Sequence, residues 1–216
     1  MEQFYKYEAR LAITPLFKFI EKYSKRGQGK LADIGCGNKP FIKYFKHVDG
    51  YFGVDVANAR ADVIADAKSL PIKSATLEVV MCNHVLEHDP EPNKIVEEIY
   101  RILIKGGVLI MSAPQMARLH GEPDDYYRFT KWGLEFLLEK NGMKIDLIES
   151  HGGFFRAIGS HINFFIIEYF GSSKTRRYIL RRTIVTMNNI IFDFLDKLIY
   201  WDKDTLNYGI IATKLG

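Results

Sequence analysis

The segment Lys30-Leu31-Ala32-Asp33-Ile34-Gly35-Cys36-Gly37-Asn38-Lys39-Pro40 constrains the fold of this chain more than any other. A short apolar run carrying one acid ends in two glycines one residue apart, and a proline then opens an amphipathic stretch. That order predicts a buried strand, a tight turn and a helix start, because glycine admits positive φ and proline suits a first helical turn. In a parallel α/β sheet such a turn lies at the carboxyl end of its strand, where nucleotide-like ligands bind.

Two ligand classes compete for the turn. A dinucleotide site wants a third glycine three residues after the second, and a helix N-terminus open to an anionic pyrophosphate. Pro40 occupies that position, and Asp33 sits just before the turn, where a carboxylate repels phosphate. A ligand with no phosphate and a positive end suits both departures, and S-adenosylmethionine, with its sulfonium and ammonium, is such a ligand. Tyr51-Phe52-Gly53-Val54-Asp55 then gives a second apolar run whose acid falls 20 residues beyond Gly35. An acid at that distance reaches ribose hydroxyls in either ligand class. Asp62-Val63-Ile64-Ala65-Asp66-Ala67, followed by Leu70-Pro71, gives a third strand end, with Asp66 placed to meet an adenine amino group.

Together these segments resemble the successive cofactor motifs of class I S-adenosylmethionine-dependent methyltransferases, of the type 11 kind. Val79-Val80-Met81-Cys82-Asn83-His84-Val85-Leu86-Glu87-His88 looks like the family's strand opening onto the active site, and Ile99 to Ile110 like its next helix, glycine turn and fifth strand. The resemblance implies a Rossmann-like, doubly wound α/β fold. Its seven-stranded, mostly parallel sheet ends in an antiparallel strand, with a helical insertion before that strand. It also implies cofactor contacts at Asp33, Gly35, Cys36, Gly37, Asp55, Val56, Asp66, Ala67, Asn83, His84 and Val85. Asn38-Lys39 departs from the small residue many relatives carry, which bears on the shape of the turn.

Length and composition agree with one α/β domain over 1–216. Hydrophobic residues make up 47% and charged residues 26%, as in a compact fold. A net charge of +4 demands no nucleic-acid partner. Cys36 and Cys82 suggest no disulfide framework, and no Cys/His grouping has metal-ligand spacing, so no metal is expected. Met1, Glu2, Lys6, Glu8 and Arg10 do not read as a secretory signal, and the expected location is cytoplasmic.

Along the chain, an N-terminal helix is expected within 1–28, over 3–25, apolar at Phe4, Leu11, Ile13, Phe17 and Ile20, with Pro15 able to kink it. A cofactor-binding core over 30–150 has strands near 30–35, 51–55, 62–64, 77–82 and 107–113 and helices near 39–47 and 91–104. A further helix starts at Thr130 as N-cap and stops near Gly142, ahead of a strand over 143–149 and a last strand over 206–214. An insertion over 153–203 holds two apolar helical runs around Lys174, Arg176, Arg177, Arg181 and Arg182. It reads as a lid, as an oligomer contact such as a homodimer, or as an amphipathic hairpin peripheral to the inner membrane face, its arginines near lipid head groups.

Methyl transfer is an in-line displacement, so positioning supplies much of the rate. A base is needed only when the nucleophile must lose a proton. Pro114 to Thr130 occupies the position after the fifth strand and is dense in polar groups and aromatics. Its His120-Gly121-Glu122-Pro123-Asp124-Asp125-Tyr126-Tyr127-Arg128-Phe129-Thr130 resembles a loop of the methyltransferases that modify glycans or lipid-linked glycans. Catalytic candidates are His120, oriented by Asp125 or Glu122, and His88 beyond the fourth strand. Glu122, Asp124, Tyr126, Tyr127 and Arg128 are candidate substrate contacts. The expected activity is O-methylation of a sugar or lipid-linked glycan, with a quinone or other prenylated acceptor as the alternative within the class. A non-catalytic cofactor-binding scaffold is the alternative outside it.

Overall fold

A computed structural model describes residues 7–216 of the protein. The first residues of the expected N-terminal helix, Phe4 among them, and the start read as non-secretory at Met1, Glu2 and Lys6 lie outside the described residues. The chain divides into two compact units. The larger comprises Phe19–Pro114, Leu119–Glu149 and Tyr208–Gly216; the smaller comprises the residues up to Lys18, Gln115–Arg118 and Ser150–Asn207. Helix α1, Arg10–Tyr23, contains Pro15 and contributes residues to both.

The larger unit is built on a seven-stranded sheet of β1 (Lys30–Ile34), β2 (Gly50–Asp55), β3 (Val63–Ile64), β4 (Leu77–Asn83), β5 (Leu103–Pro114), β6 (Met143–His151) and β7 (Asn207–Lys214). The strand order is β3-β2-β1-β4-β5-β7-β6. β1 to β5 pair in parallel. β7 runs against its neighbours: Gln115, after the end of β5, bonds Leu206 before the start of β7, and Leu215 beyond its end bonds Gly142 before the start of β6. This is the doubly wound arrangement expected from the sequence.

The parallel strands are apolar because both of their faces are covered. Leu31, Ala32 and Ile34 of β1 and Val79 to Cys82 of β4 are buried. α2, Pro92–Ile102, starts on a proline whose missing N–H costs nothing at a helix start, and it turns Ile95, Val96, Ile99 and Ile102 inward. α3, Lys131–Lys140, begins where the Thr130 hydroxyl accepts the Gly133 N–H at 3.0 Å, and Gly142 follows at φ +79. β5 opens at Leu103, four residues earlier than the sequence suggested, because the chain passes from α2 into the strand without a linking loop.

One expected element is absent. The helix predicted over 39–47 is a single 3₁₀ turn, Ile42–Tyr44. Lys39 takes φ +53 and closes a turn onto the Cys36 carbonyl, so the helical register is broken at its first residue. Phe41 and Phe45 of the stretch that Pro40 opens are both buried from this short turn.

The smaller unit is helical: α4 (Phe154–Phe165), extended by a π-helical stretch Ile166–Phe170; α5 (Lys174–Leu180), extended by Arg181–Val185; and α6 (Thr186–Leu198). Two helical runs were expected, and the helices follow one another without a gap in two runs, 154–170 and 174–198, broken near Gly171. Asp196 of α6 accepts the Gly153 and Arg156 N–H groups and so caps α4 from another helix. Between α4 and α6 lies a buried amide seam. Asn163 Nδ2 donates to Asn189 Oδ1 at 2.9 Å, and Asn188 Nδ2 donates to Asn163 Oδ1 at 2.8 Å. Glu8 is buried and takes the Arg181 guanidinium at 2.5 and 2.8 Å, so one of the five basic residues of the 174–182 cluster is committed inside the unit. Phe165, Tyr169, Phe170, Met187, Ile190 and Phe194 are exposed. Among the described residues no helix is long and apolar enough to cross a membrane.

Candidate active site

The carboxyl ends of β1, β2 and β4 meet around the glycine turn. Gly35 and Gly37 adopt φ +67 and +49. A Cβ on Gly35 would strike Val85 Cγ2 at 2.3 Å, whereas nothing lies within 4 Å of one on Gly37, so the turn presents bare backbone toward open space there. Asp55, at the tip of β2, accepts the Gly37 N–H at 3.0 Å through Oδ2. Its Oδ1 takes the Ala57 and Asn58 N–H groups at 3.2 and 3.1 Å. These bonds fix the carboxylate against the turn and leave acceptor capacity for a ribose.

Asp33 behaves differently from a bare charge beside the ligand. It is buried, and its carboxyl accepts the Tyr51 hydroxyl. Burial pushes its pKa up to about 7, against the lowering effect of that hydrogen bond. Phosphate repulsion from Asp33, on which the sequence reading leaned, is therefore diluted by partial protonation near neutrality. The positive charge at the turn is also committed: Lys39 Nζ sits 2.6 Å from Asp62 Oδ1, which leaves no naked lysine to receive a pyrophosphate. The Cys36 thiol is pushed up to about 11, chiefly by burial, and packs where Gly53 lacks a side chain. Val56 is exposed, and Asp66 Oδ1 caps the Lys68 N–H at 2.8 Å beside Ala67.

At the end of β4, Asn83 Oδ1 accepts the Ser112 hydroxyl at 3.0 Å, while its Nδ2 is buried without a hydrogen-bond partner. A buried donor lacking an acceptor calls for a ligand atom. His84 follows in the left-handed region, φ +54, with its N–H bonded to the Ser112 carbonyl at 3.0 Å. The open glycine turn, the ribose-ready Asp55 and the unsatisfied Asn83 amide together fit an adenosyl cofactor bound over β1, β2 and β4.

Beside them the chain assembles a histidine cluster on Glu87, a residue the sequence reading passed over. Glu87 lies in the 3₁₀ turn Leu86–His88 and is fully buried. Burial would raise its carboxyl, but the neighbouring imidazoles of His120 and His84 hold it down at about 2. His84 Nδ1 is 3.0 Å from Glu87 Oε1, His120 Nε2 3.8 Å and His88 Nε2 3.9 Å. The rings of His88 and His120 meet edge to face with centroids 4.9 Å apart. The predicted catalytic histidines are thus brought together.

The predicted pairing of His120 with Asp125 is not made as a hydrogen bond. His120 Nδ1 lies 3.6 Å from Asp125 Oδ2, too far for one. Asp125 accepts the Arg128 guanidinium in a fork at 2.7 and 2.8 Å, and also the His120 backbone N–H at 2.8 Å. The Arg128 hydrogen bonds hold its carboxyl well below the usual range. Asp125 and Arg128 therefore brace the loop. Tyr126 and Tyr127 donate their N–H groups to the Glu87 carbonyl at 2.8 and 3.3 Å, and the Tyr127 hydroxyl donates to the Pro90 carbonyl at 2.9 Å. Both rings stay exposed, as does Glu122. The Tyr126 hydroxyl reaches Asp124 Oδ1 at 3.0 Å, and the Asp124 carbonyl takes His88 Nδ1 at 2.5 Å.

Residues 32–111 match the methyltransferase domain family. An uncharacterized protein of Methanocaldococcus jannaschii is 30% identical over 101 residues, covering 43% of this chain and 47% of that protein. The ubiquinone/menaquinone biosynthesis C-methyltransferase UbiE of Campylobacter jejuni is 26% identical over 101 residues, covering 38% and 43%. The chain thus spans less than half the length of these relatives. Phosphoethanolamine N-methyltransferase 2 of Haemonchus contortus, solved with S-adenosyl-L-methionine, superposes with a TM-score of 0.62 at 16% identity, over 95% of this chain and 53% of that one. At that identity the likeness is one of fold.

Proposed function

We infer, from the match of residues 32–111 to the methyltransferase domain family, that this chain is a class I S-adenosylmethionine-dependent methyltransferase and transfers the cofactor's methyl group to an oxygen of a sugar or lipid-linked glycan. S-adenosylmethionine supplies the electrophilic methyl carbon, and the chain's own residues hold the partners in line. Asp55 takes the ribose, Asn83 Nδ2 gains the acceptor it lacks, and the Gly35–Gly37 turn lies against the nucleoside. His88 presents Nε2 for the acceptor's hydroxyl proton, because its Nδ1 faces the Asp124 carbonyl and carries the hydrogen of that bond. Exposed Tyr126 and Tyr127 offer aromatic faces to a polyhydroxylated acceptor, and exposed Glu122 offers a carboxylate.

The observation that carries this reading is the Asp55–Gly37 bond beside an unsatisfied Asn83 donor, all on one sheet edge. A prenylated acceptor such as a quinone is a second reading. It is favoured by the apolar side chains left exposed along α4 to α6 of the smaller unit. Incubation with methyl-labelled cofactor and a fractionated cell extract tests both. Label in a water-soluble or lipid-linked glycan supports the first and label in a prenylated fraction the second, while cofactor binding without transfer marks a scaffold.

A further inference from the structure

The cluster around Glu87 holds more donor chemistry than proton transfer needs. A fully buried carboxylate has three imidazole nitrogens at 3.0, 3.8 and 3.9 Å from Oε1, and its Oε2 makes no hydrogen bond at all. A buried carboxylate oxygen that makes no hydrogen bond is costly unless a cation meets it.

One ligand atom from each of His84, Glu87 and His120 can be chosen so that all three lie within 4.8 Å of one another. A tetrahedral ion with bonds of about 2.0–2.1 Å holds its ligand atoms about 3.4 Å apart. The observed 3.0 Å and 3.8 Å separations from Glu87 bracket that spacing, and the third pair, within 4.8 Å, closes onto an ion by side-chain rotation. We propose that His84, Glu87 and His120 form a binding site for one divalent transition-metal ion of the zinc kind, leaving a fourth position open to an oxygen of the acceptor. Two imidazoles and a single carboxylate favour zinc and its neighbours over magnesium or calcium, whose shells are oxygen.

The surroundings support the ligands. Beyond His120, Asp125 accepts the His120 backbone N–H at 2.8 Å and is itself fixed by Arg128, which holds in place the loop that carries this ligand. Beyond His84, the backbone is pinned to Ser112. Two ligands come from the turn that follows β4 and one from the loop, so the ion would tie the substrate loop to the strand edge. His88 stays outside the set and keeps its Nε2 for the acceptor's proton. The site rests on the methyltransferase reading only for what fills its open position.

The test is metal binding, not turnover. Chelator-treated full-length protein is titrated with Zn²⁺ and with Co²⁺ by calorimetry, and the cobalt form is examined for visible absorption. One ion per chain and an intense tetrahedral cobalt band are expected. His120→Ala, which changes a partly exposed loop residue, and Glu87→Gln each weaken Zn²⁺ binding by about 100-fold or more. A far-ultraviolet circular dichroism spectrum at the parental level shows that both variants are folded. No saturable uptake of either ion at millimolar concentration overturns the site, as does uptake that both substitutions leave unchanged. Metal uptake by a protein that transfers no methyl group to any fraction retains the site and removes the methyltransferase reading.

Discussion

Asp33 and Asp55 face one turn from neighbouring strands, and burial gives them opposite work. Asp55 is partly exposed and accepts backbone N–H groups, so Asp55→Ala should weaken cofactor binding by about 1–3 kcal/mol, measured by calorimetry with S-adenosylhomocysteine. Unchanged affinity would remove the ribose from this carboxylate. Asp33 is sealed by Tyr51, with its pKa raised to about 7 from 3.8. Between those values the folded protein holds a proton that the unfolded chain has released. The stability it contributes is complete below about pH 3.8 and is lost as pH rises through 7. Asp33→Asn should therefore gain on the parent by about 2–3 kcal/mol between pH 5 and pH 8 in urea denaturation. An equal gap at the two pH values would mean that Asp33 is already ionised in the folded protein. The sequence located this acid, but its partner Tyr51 comes from the next strand and cannot be read from spacing.

Among the elements, the strands were the most legible, since runs such as Val79 to Cys82 are apolar on both faces and end in turn residues. The Thr130 cap was legible too, because a hydroxyl ahead of an amphipathic run has a local meaning. Thr130→Ala should cost about 1 kcal/mol, read as a lower melting temperature. The helix expected over 39–47 failed because periodicity cannot see that Lys39 turns left-handed and anchors to Asp62. The insertion's polar seam was equally hidden. Asn163, Asn188 and Asn189 look like surface residues in sequence, yet all three are buried and bonded to one another. Asn163→Leu should leave the Asn188 and Asn189 amides short of partners and destabilise the smaller unit by about 2–4 kcal/mol, visible as a lower urea midpoint. The Glu87 cluster escaped for a related reason. His84 and Glu87 are three residues apart, but His120 arrives from a distant loop, so no spacing rule joins them.

At the scale of the molecule, each unit carries its own surface. In the smaller one, exposed Phe165, Tyr169, Met187, Ile190 and Phe194 share the insertion with exposed Lys174, Arg176, Arg177 and Arg182. Such a composition suits a peripheral membrane contact, and we expect co-sedimentation with anionic liposomes at low salt that fades as salt rises. Protein left in the supernatant removes the membrane contact. A doubled mass in solution would then assign the apolar side chains to a homodimer.

The left-handed backbone at His84 has a consequence for how this site can change. Only glycine, asparagine and a few other residues tolerate that twist cheaply, while β-branched side chains fit it poorly. Exchange of the imidazole is thereby channelled toward a narrow set of replacements, whatever chemistry selection asks for. A saturation library at this codon should return folded protein mainly for His, Asn, Asp and Gly, so the conformation of one peptide unit limits which reactions the edge of this sheet can evolve.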